Sequence, residues 1–154
     1  MKAEDRPKRL FLLDRDPAQL ERAQTLLDRL PVGLPPVDLV LTQAAEENDR
    51  FLAGLPAHSL VVNATGVGKD LPGSPLSPNA RFPDYGVVWE LNYRGDLQFL
   101  RQARDQEQER HLIIGDGWQY FLLSWSLIVG LVFDAPVDQN TFARLAEAAE
   151  ASRV

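Results

Sequence analysis

The segment Arg9-Leu-Phe-Leu-Leu-Asp14 decides how the chain is read. Four consecutive apolar residues bounded by an arginine and an aspartate are too few for a helix and read as a short buried strand. Pro17 suits the first turn of a helix, with Asp16 before it as N-cap. Leu20, Ala23, Leu26, Leu27 and Leu30 then recur at helical spacing, which predicts an amphipathic helix over 17–30. Pro31, Gly33, Pro35 and Pro36 end that helix in a loop. Strand, capped turn and helix in this order form the start of a βα unit.

The same alternation continues outward from this unit. Val37–Leu41 is a second strand and 44–55 a more polar helix. Ser59–Val62 is a third strand, stopped by Asn63-Ala-Thr-Gly66. Residues 66–84 hold four prolines and three glycines and read as loop. Gly86–Tyr93 is a fourth strand, 96–106 a helix, His111–Ile114 a fifth strand, 117–133 an apolar helix and 139–152 an Ala-rich closing helix. The strands are too far apart in sequence for hairpins, so the pattern predicts an α/β fold with a parallel sheet flanked by helices. At 154 residues, a single domain spanning 1–154 with a polar leader over 1–8 is expected.

Composition narrows the functional classes. Apolar residues make up 45% of the chain, which argues for a packed core and against disorder. There is no cysteine, hence no disulfide, thiolate metal site or cysteine nucleophile. His58 and His111 have no neighbours at metal-ligand spacing, and no metal site is expected. A net charge of −6 argues against nucleic-acid binding. The start of the chain does not read as a targeting segment. The uncharged stretch 118–133 is shorter than the ~20 residues of a spanning helix and contains Gln119, Ser124 and Ser126. It reads as a buried helix, no membrane partner is expected, and a cytoplasmic location follows.

Several positions can carry chemistry, each with a plainer alternative. Asp14 ends the first strand, where an acid in dinucleotide-binding folds accepts the ribose 2′-hydroxyl and repels a 2′-phosphate; it equally serves to cap the turn. Arg15 beside it can stack on adenine. Asn63-Ala64-Thr65 ends the third strand, where ligands lie in open α/β sheets, or is a turn. Tyr93 ends the fourth strand and offers a phenol to a substrate, or is a core aromatic. Asp116-Gly117 opens the apolar helix, whose first N–H groups can meet a ligand or be capped. Gly66-Val-Gly68-Lys69 matches neither the dinucleotide fingerprint nor the P-loop, since glycines and the Ser/Thr are missing. Trp118, Phe121, Trp125, Val129 and Val132 form a stripe that reads as core or interface.

Taken in order, Asn63-Ala-Thr-Gly-Val-Gly68, Trp89-Glu-Leu-Asn-Tyr93 with the helix after it, Ile114-Gly-Asp-Gly117 and Asp14-Arg15 resemble the shikimate/quinate dehydrogenase family over about residues 9–150. The resemblance implies an NAD(P)-dependent oxidoreductase that transfers hydride at the 3-position of shikimate or quinate. It implies that Asp14, Arg15, Asn63, Ala64, Thr65, Leu91 and Gly117 line the cofactor. It also implies that Tyr93 touches a shikimate- or quinate-like substrate, with Ser124 standing where the family has a substrate-binding Gln. Tyr93-Arg94-Gly95 replaces the family's Tyr-Asn-Pro, and Glu90 its Asp. Gln19 stands where the family grips a 2′-phosphate with Arg. With Asp14, that replacement leads to the expectation of NAD rather than NADP.

The family's substrate domain, catalytic Lys and Asp, first Rossmann strand and glycine-rich turn have no counterpart here. No catalytic residue is therefore assigned. In the strand order 3-2-1-4-5-6 the first strand is central, so an incomplete Rossmann-like sheet is expected, with strands one and three left without their shared neighbour. The isolated chain is expected to be inactive unless a separate polypeptide supplies the N-terminal half, and to self-associate or be poorly soluble, since a missing central strand leaves apolar surface exposed. The alternatives are a non-catalytic nucleotide- or protein-binding module and an inert truncated gene product.

Overall fold

A computed structural model describes residues 6–30 and 34–151. Pro31, Gly33, Ser152 and the first five residues of the polar leader lie outside the described residues. Eleven elements follow one another: β1 (Leu10–Asp14), α1 (Pro17–Leu27), β2 (Val37–Leu41), α2 (Ala45–Ala53), β3 (Leu60–Asn63), β4 (Val87–Glu90), α3 (Gln98–Asp105), α4 (Glu107–Arg110), β5 (Ile113–Gly115), α5 (Trp118–Val132) and α6 (Gln139–Glu150). Side-chain caps start two of the helices, α1 as the sequence predicts and α6 through a cap not read from it. The Asp16 carboxylate accepts from Ala18 N at 2.9 Å with Pro17 in the first turn, and Asp138 accepts from Thr141 N at 2.8 Å. The fourth strand stops at Glu90, short of the expected Tyr93, because the chain turns there to wrap the Glu90 carboxylate.

All pairings are parallel, in two separate sheets: β1 with β2, and β3-β4-β5. Among the described residues β1 pairs only with β2 and β3 only with β4, so each keeps one edge of unpaired N–H and C=O groups. This is an α/β arrangement of parallel strands in two small sheets flanked by helices, consistent with the partial Rossmann-like fold expected. Helix α2 joins the two sheets: Phe51 lies 6.0 Å from Phe11 of β1, while Leu52 enters the core under the second sheet.

That core lies on one face of β3-β4-β5. Side chains alternate across a strand, so Val61, Val88 and Ile114 face inward, while Leu60, Val87 and Ile113 stand in one row on the other, exposed face. Phe82 and Phe99 pack edge to face at 5.5 Å against Val88 and Ala103. Part of this core comes from the Pro/Gly-rich segment, which contributes Leu76, Ala80 and Phe82. It is held down by α3 and the turn after it: Gln102 Nε2 donates to Ser77 O, Gln106 Nε2 donates to Ala80 O, and Gln106 Oε1 accepts from Phe82 N.

The apolar helix corrects one expectation. Trp118, Leu122 and Ser126 of α5 are buried, but Trp125, Val129 and Val132 of the predicted stripe are exposed, and Leu131 is 81% exposed. The reason is coverage: among the described residues α5 packs chiefly against α6, and most of its second half, from Trp125 to Val132, stays exposed. No helix among the described residues is long and apolar enough to cross a membrane.

Candidate functional site

Three loops leave the carboxyl ends of β3, β4 and β5, and hydrogen bonds tie them into one unit. Leu91 N donates to Asn63 O (3.0 Å), and Gly117 N donates to Asn92 O (3.2 Å). Asn63 Oδ1 accepts from Thr65 N and from the Thr65 hydroxyl, at 3.0 and 2.7 Å, which shapes the Asn63-Ala64-Thr65 turn. Asn92 Nδ2 donates to Thr65 O at 3.0 Å. Gly117 is required by room: a Cβ there would lie 1.9 Å from Leu91 O. The segments containing Asn63, Ala64, Thr65, Leu91, Tyr93 and Gly117, scattered through the sequence, thus meet at one sheet edge.

Glu90 holds this unit from beneath. It is fully buried, and three N–H groups converge on its carboxylate: Asn63 Nδ2 at 2.7 Å, Asn92 N at 2.9 Å and Asn92 Nδ2 at 2.8 Å. Burial pushes the Glu90 carboxyl above the ordinary carboxylate range; the bonds from Asn92 and Asn63 partly oppose this. Neither Glu90 nor Asn92 stands among the candidate residues read from sequence. An acid ending a strand is a signal, but its partners are set only by the pairing of β3 with β4.

Tyr93 is half-buried, with its ring stacked on Phe121 at 4.2 Å. Beyond it, two loops cross in contact. Gly68 and Gly95 adopt positive φ of 93° and 92°, and Leu97 N donates to Gly68 O at 3.0 Å. The crossing brings Lys69 Nζ to 5.7 Å from the Tyr93 ring centroid. Gly66-Val-Gly68 forms no phosphate cradle. Lys69, Asp70 and Leu71 all donate their backbone N–H to Gly66 O, and Gly68 N donates to Leu71 O, so these amides are used within the turn.

Other predicted residues stand apart. Asp14 Oδ1 accepts from Asp16 N at 2.9 Å, the turn-capping alternative, and Arg15 is exposed beside it on the other sheet. Asp116 Oδ1 accepts from Trp118 N at 3.1 Å in a turn that leads into α5, whose N-cap is Gly117. Ser124 is half-buried on α5, about two helical turns beyond Gly117. His58 and His111 flank Tyr85 in a ring stack, at 5.3 and 4.9 Å, where the chain enters β3, β4 and β5. Among the described residues no three His, Asp or Glu side chains are grouped to hold a metal ion.

The chain is similar to a shikimate dehydrogenase. It is 37% identical over 90 residues to the shikimate dehydrogenase (NADP(+)) of Streptococcus thermophilus, a match covering 58% of this chain and 30% of that enzyme's length. No protein-family profile and no solved structure matches the chain. The relative is named for NADP(+), which overturns the expectation of NAD drawn from Asp14 and Gln19. In the structure Asp14 Oδ1 accepts from Asp16 N at 2.9 Å, so the carboxylate shapes the turn that leaves β1.

Proposed function

We propose that this chain is the nucleotide-binding part of a shikimate dehydrogenase-type oxidoreductase that uses NADP(H). The observation that supports this most is the hydrogen-bonded meeting of the Asn63-Ala64-Thr65, Leu91-Asn92-Tyr93 and Asp116-Gly117 segments at the carboxyl edge of a parallel sheet, where open α/β sheets take their ligands. The small Ala64 lets backbone approach a flat ring, while Gly117 lets the Leu91 and Asp116-Gly117 segments meet. In this reading Arg15, at the carboxyl end of β1, is the cation that meets a 2′-phosphate, and Leu91 and Thr65 border the nicotinamide end. Tyr93 donates a hydrogen bond to a shikimate- or quinate-like substrate, and Ser124 borders the same space. NADP(H) when bound supplies hydride chemistry; the residues of this chain orient it and exclude water. The proton on the substrate hydroxyl is handled by groups this chain does not assign, so turnover needs a second half that supplies them.

Two measurements test the reading. Calorimetry with NADPH and the chain should show saturable binding that weakens when Arg15→Ala is introduced. Mixing the chain with a polypeptide carrying the part of the Streptococcus thermophilus enzyme outside the matched segment should restore shikimate-dependent reduction of NADP+. No heat at millimolar NADPH together with no activity in the mixture would overturn it.

A further inference from the structure

We propose that Lys69 and Arg94 form, at the loop crossing beside the Tyr93 ring, a subsite for the carboxylate of a small hydroxylated ligand. The proposal rests on the reading of Tyr93 as a substrate contact and adds two cations to which the sequence patterns gave no ligand role. Asp70 already shows the spacing that such a ligand requires. Its Oδ2 lies 3.5 Å from Lys69 Nζ and its Oδ1 lies 3.4 Å from Arg94 Nη2, so the two cations stand one to each oxygen of a single carboxylate. Both distances exceed the ~2.7–2.9 Å of a well-made charge-assisted hydrogen bond. An ammonium has three donors and a guanidinium five, so each cation keeps donors for a second acceptor. Two cations against one aspartate leave a local charge of +1 on a chain of net charge −6, enough to offset a monocarboxylate.

The platform is built rather than incidental. A Cβ on Gly95 would lie 2.5 Å from Gly68 O and 2.8 Å from Lys69 Cα, so the two loops cross as closely as backbone allows. That crossing draws Lys69 in beside the Tyr93 ring, and its side chain is only 25% exposed. Phe121, stacked on Tyr93, fixes the phenol from α5. A cation, a second cation and a phenol therefore converge at the same edge as the Asn63-Ala64-Thr65 turn.

The test is a chemical-shift titration of the full chain with shikimate, with its uncharged methyl ester, with cyclohexanecarboxylate and with inorganic phosphate. Both carboxylates should move the resonances of Lys69, Tyr93 and Arg94, and the ester should bind about tenfold more weakly. Lys69→Met and Arg94→Gln should each weaken the acids about fivefold and leave the ester unchanged, Lys69→Arg should retain binding, and Asp70→Asn should tighten it, since a competing internal carboxylate is removed. Dispersed spectra of the variants check that they fold. The proposal is overturned if neither acid moves these residues, if ester and acid bind alike, if phosphate binds as tightly as the acids, or if Asp70→Asn weakens binding. A parallel NADPH titration separates the two claims: its failure with the carboxylate responses intact removes the nucleotide reading and leaves the subsite standing.

Discussion

Replacing Glu90 by Gln changes one atom and tests the whole site. Three donors converge on the native carboxylate. A Gln side chain has one acceptor oxygen and one NH2 group. Its oxygen can serve both Asn92 donors, but its NH2 must then face Asn63 Nδ2, donor against donor. Asn63 cannot turn over to help, because its Oδ1 already accepts from Thr65 N and the Thr65 hydroxyl. One buried hydrogen bond is lost and a donor is left unsatisfied, a cost of about 1–3 kcal/mol. In urea unfolding followed by tryptophan fluorescence, this moves the midpoint down by roughly 1 M. The double variant Glu90→Gln with Asn63→Asp should recover most of the loss. The introduced aspartate keeps its acceptor toward Thr65, presents a second one to the new amide, and restores the single negative charge; only the long Asn63 Nδ2 to Val67 O bond, at 3.4 Å, is forfeited. A single variant within about 0.5 kcal/mol of the native chain, or a double variant no better than the single, would refute the wiring described here.

The same residue predicts a pH effect. Burial raises the folded-state pKa of Glu90 above the unfolded value of about 4.3, so the folded state holds this proton more tightly. Its contribution to stability is present below that value and is lost as pH rises through the raised one; Glu90→Gln should flatten this part of the stability curve. Asp138 works with the opposite sign: the Thr141 N–H holds its carboxyl below the usual range, so its stabilisation is present at neutral pH and lost on acidification. Asp138→Ala should lower Tm at neutral pH and leave it unchanged in strong acid. Gly117→Ala, whose Cβ would meet Leu91 O at 1.9 Å, should cost about 3 kcal/mol and loosen the start of α5, seen as faster hydrogen exchange over 118–122. Leu127→Glu with Leu131→Glu, on the exposed face of α5, should shift sizing chromatography toward monomer while changing stability by only about 0.5 kcal/mol; unchanged elution would show that this face does not drive self-association.

Much of this molecule is local, and the sequence by itself determined that part. Leu10–Leu13 is apolar at strand length, Asp16-Pro17 caps and starts a helix, and strands alternating with helices exclude hairpins, so a parallel α/β arrangement follows from neighbouring residues alone. The Asn63-Ala-Thr and Asp116-Gly117 segments were legible at strand and helix ends for the same reason, whereas the fourth strand was read through Tyr93 and stops at Glu90. Tertiary structure decided what depends on residues far apart in the chain. Lys69 stands beside Tyr93 only because Gly68 and Gly95 let two loops cross, and Glu90 becomes the centre of three hydrogen bonds only because β3 pairs with β4. The Pro/Gly-rich segment supplies core residues because Gln102 and Gln106 bond its backbone. Apolar composition made α5 look buried, yet burial depends on what lies opposite, and Leu127, Leu131 and Val132 stay exposed. Hydrophobicity and capping act over a few residues and can be read along the chain, whereas which edge is paired and which face is covered are properties of contacts between distant residues.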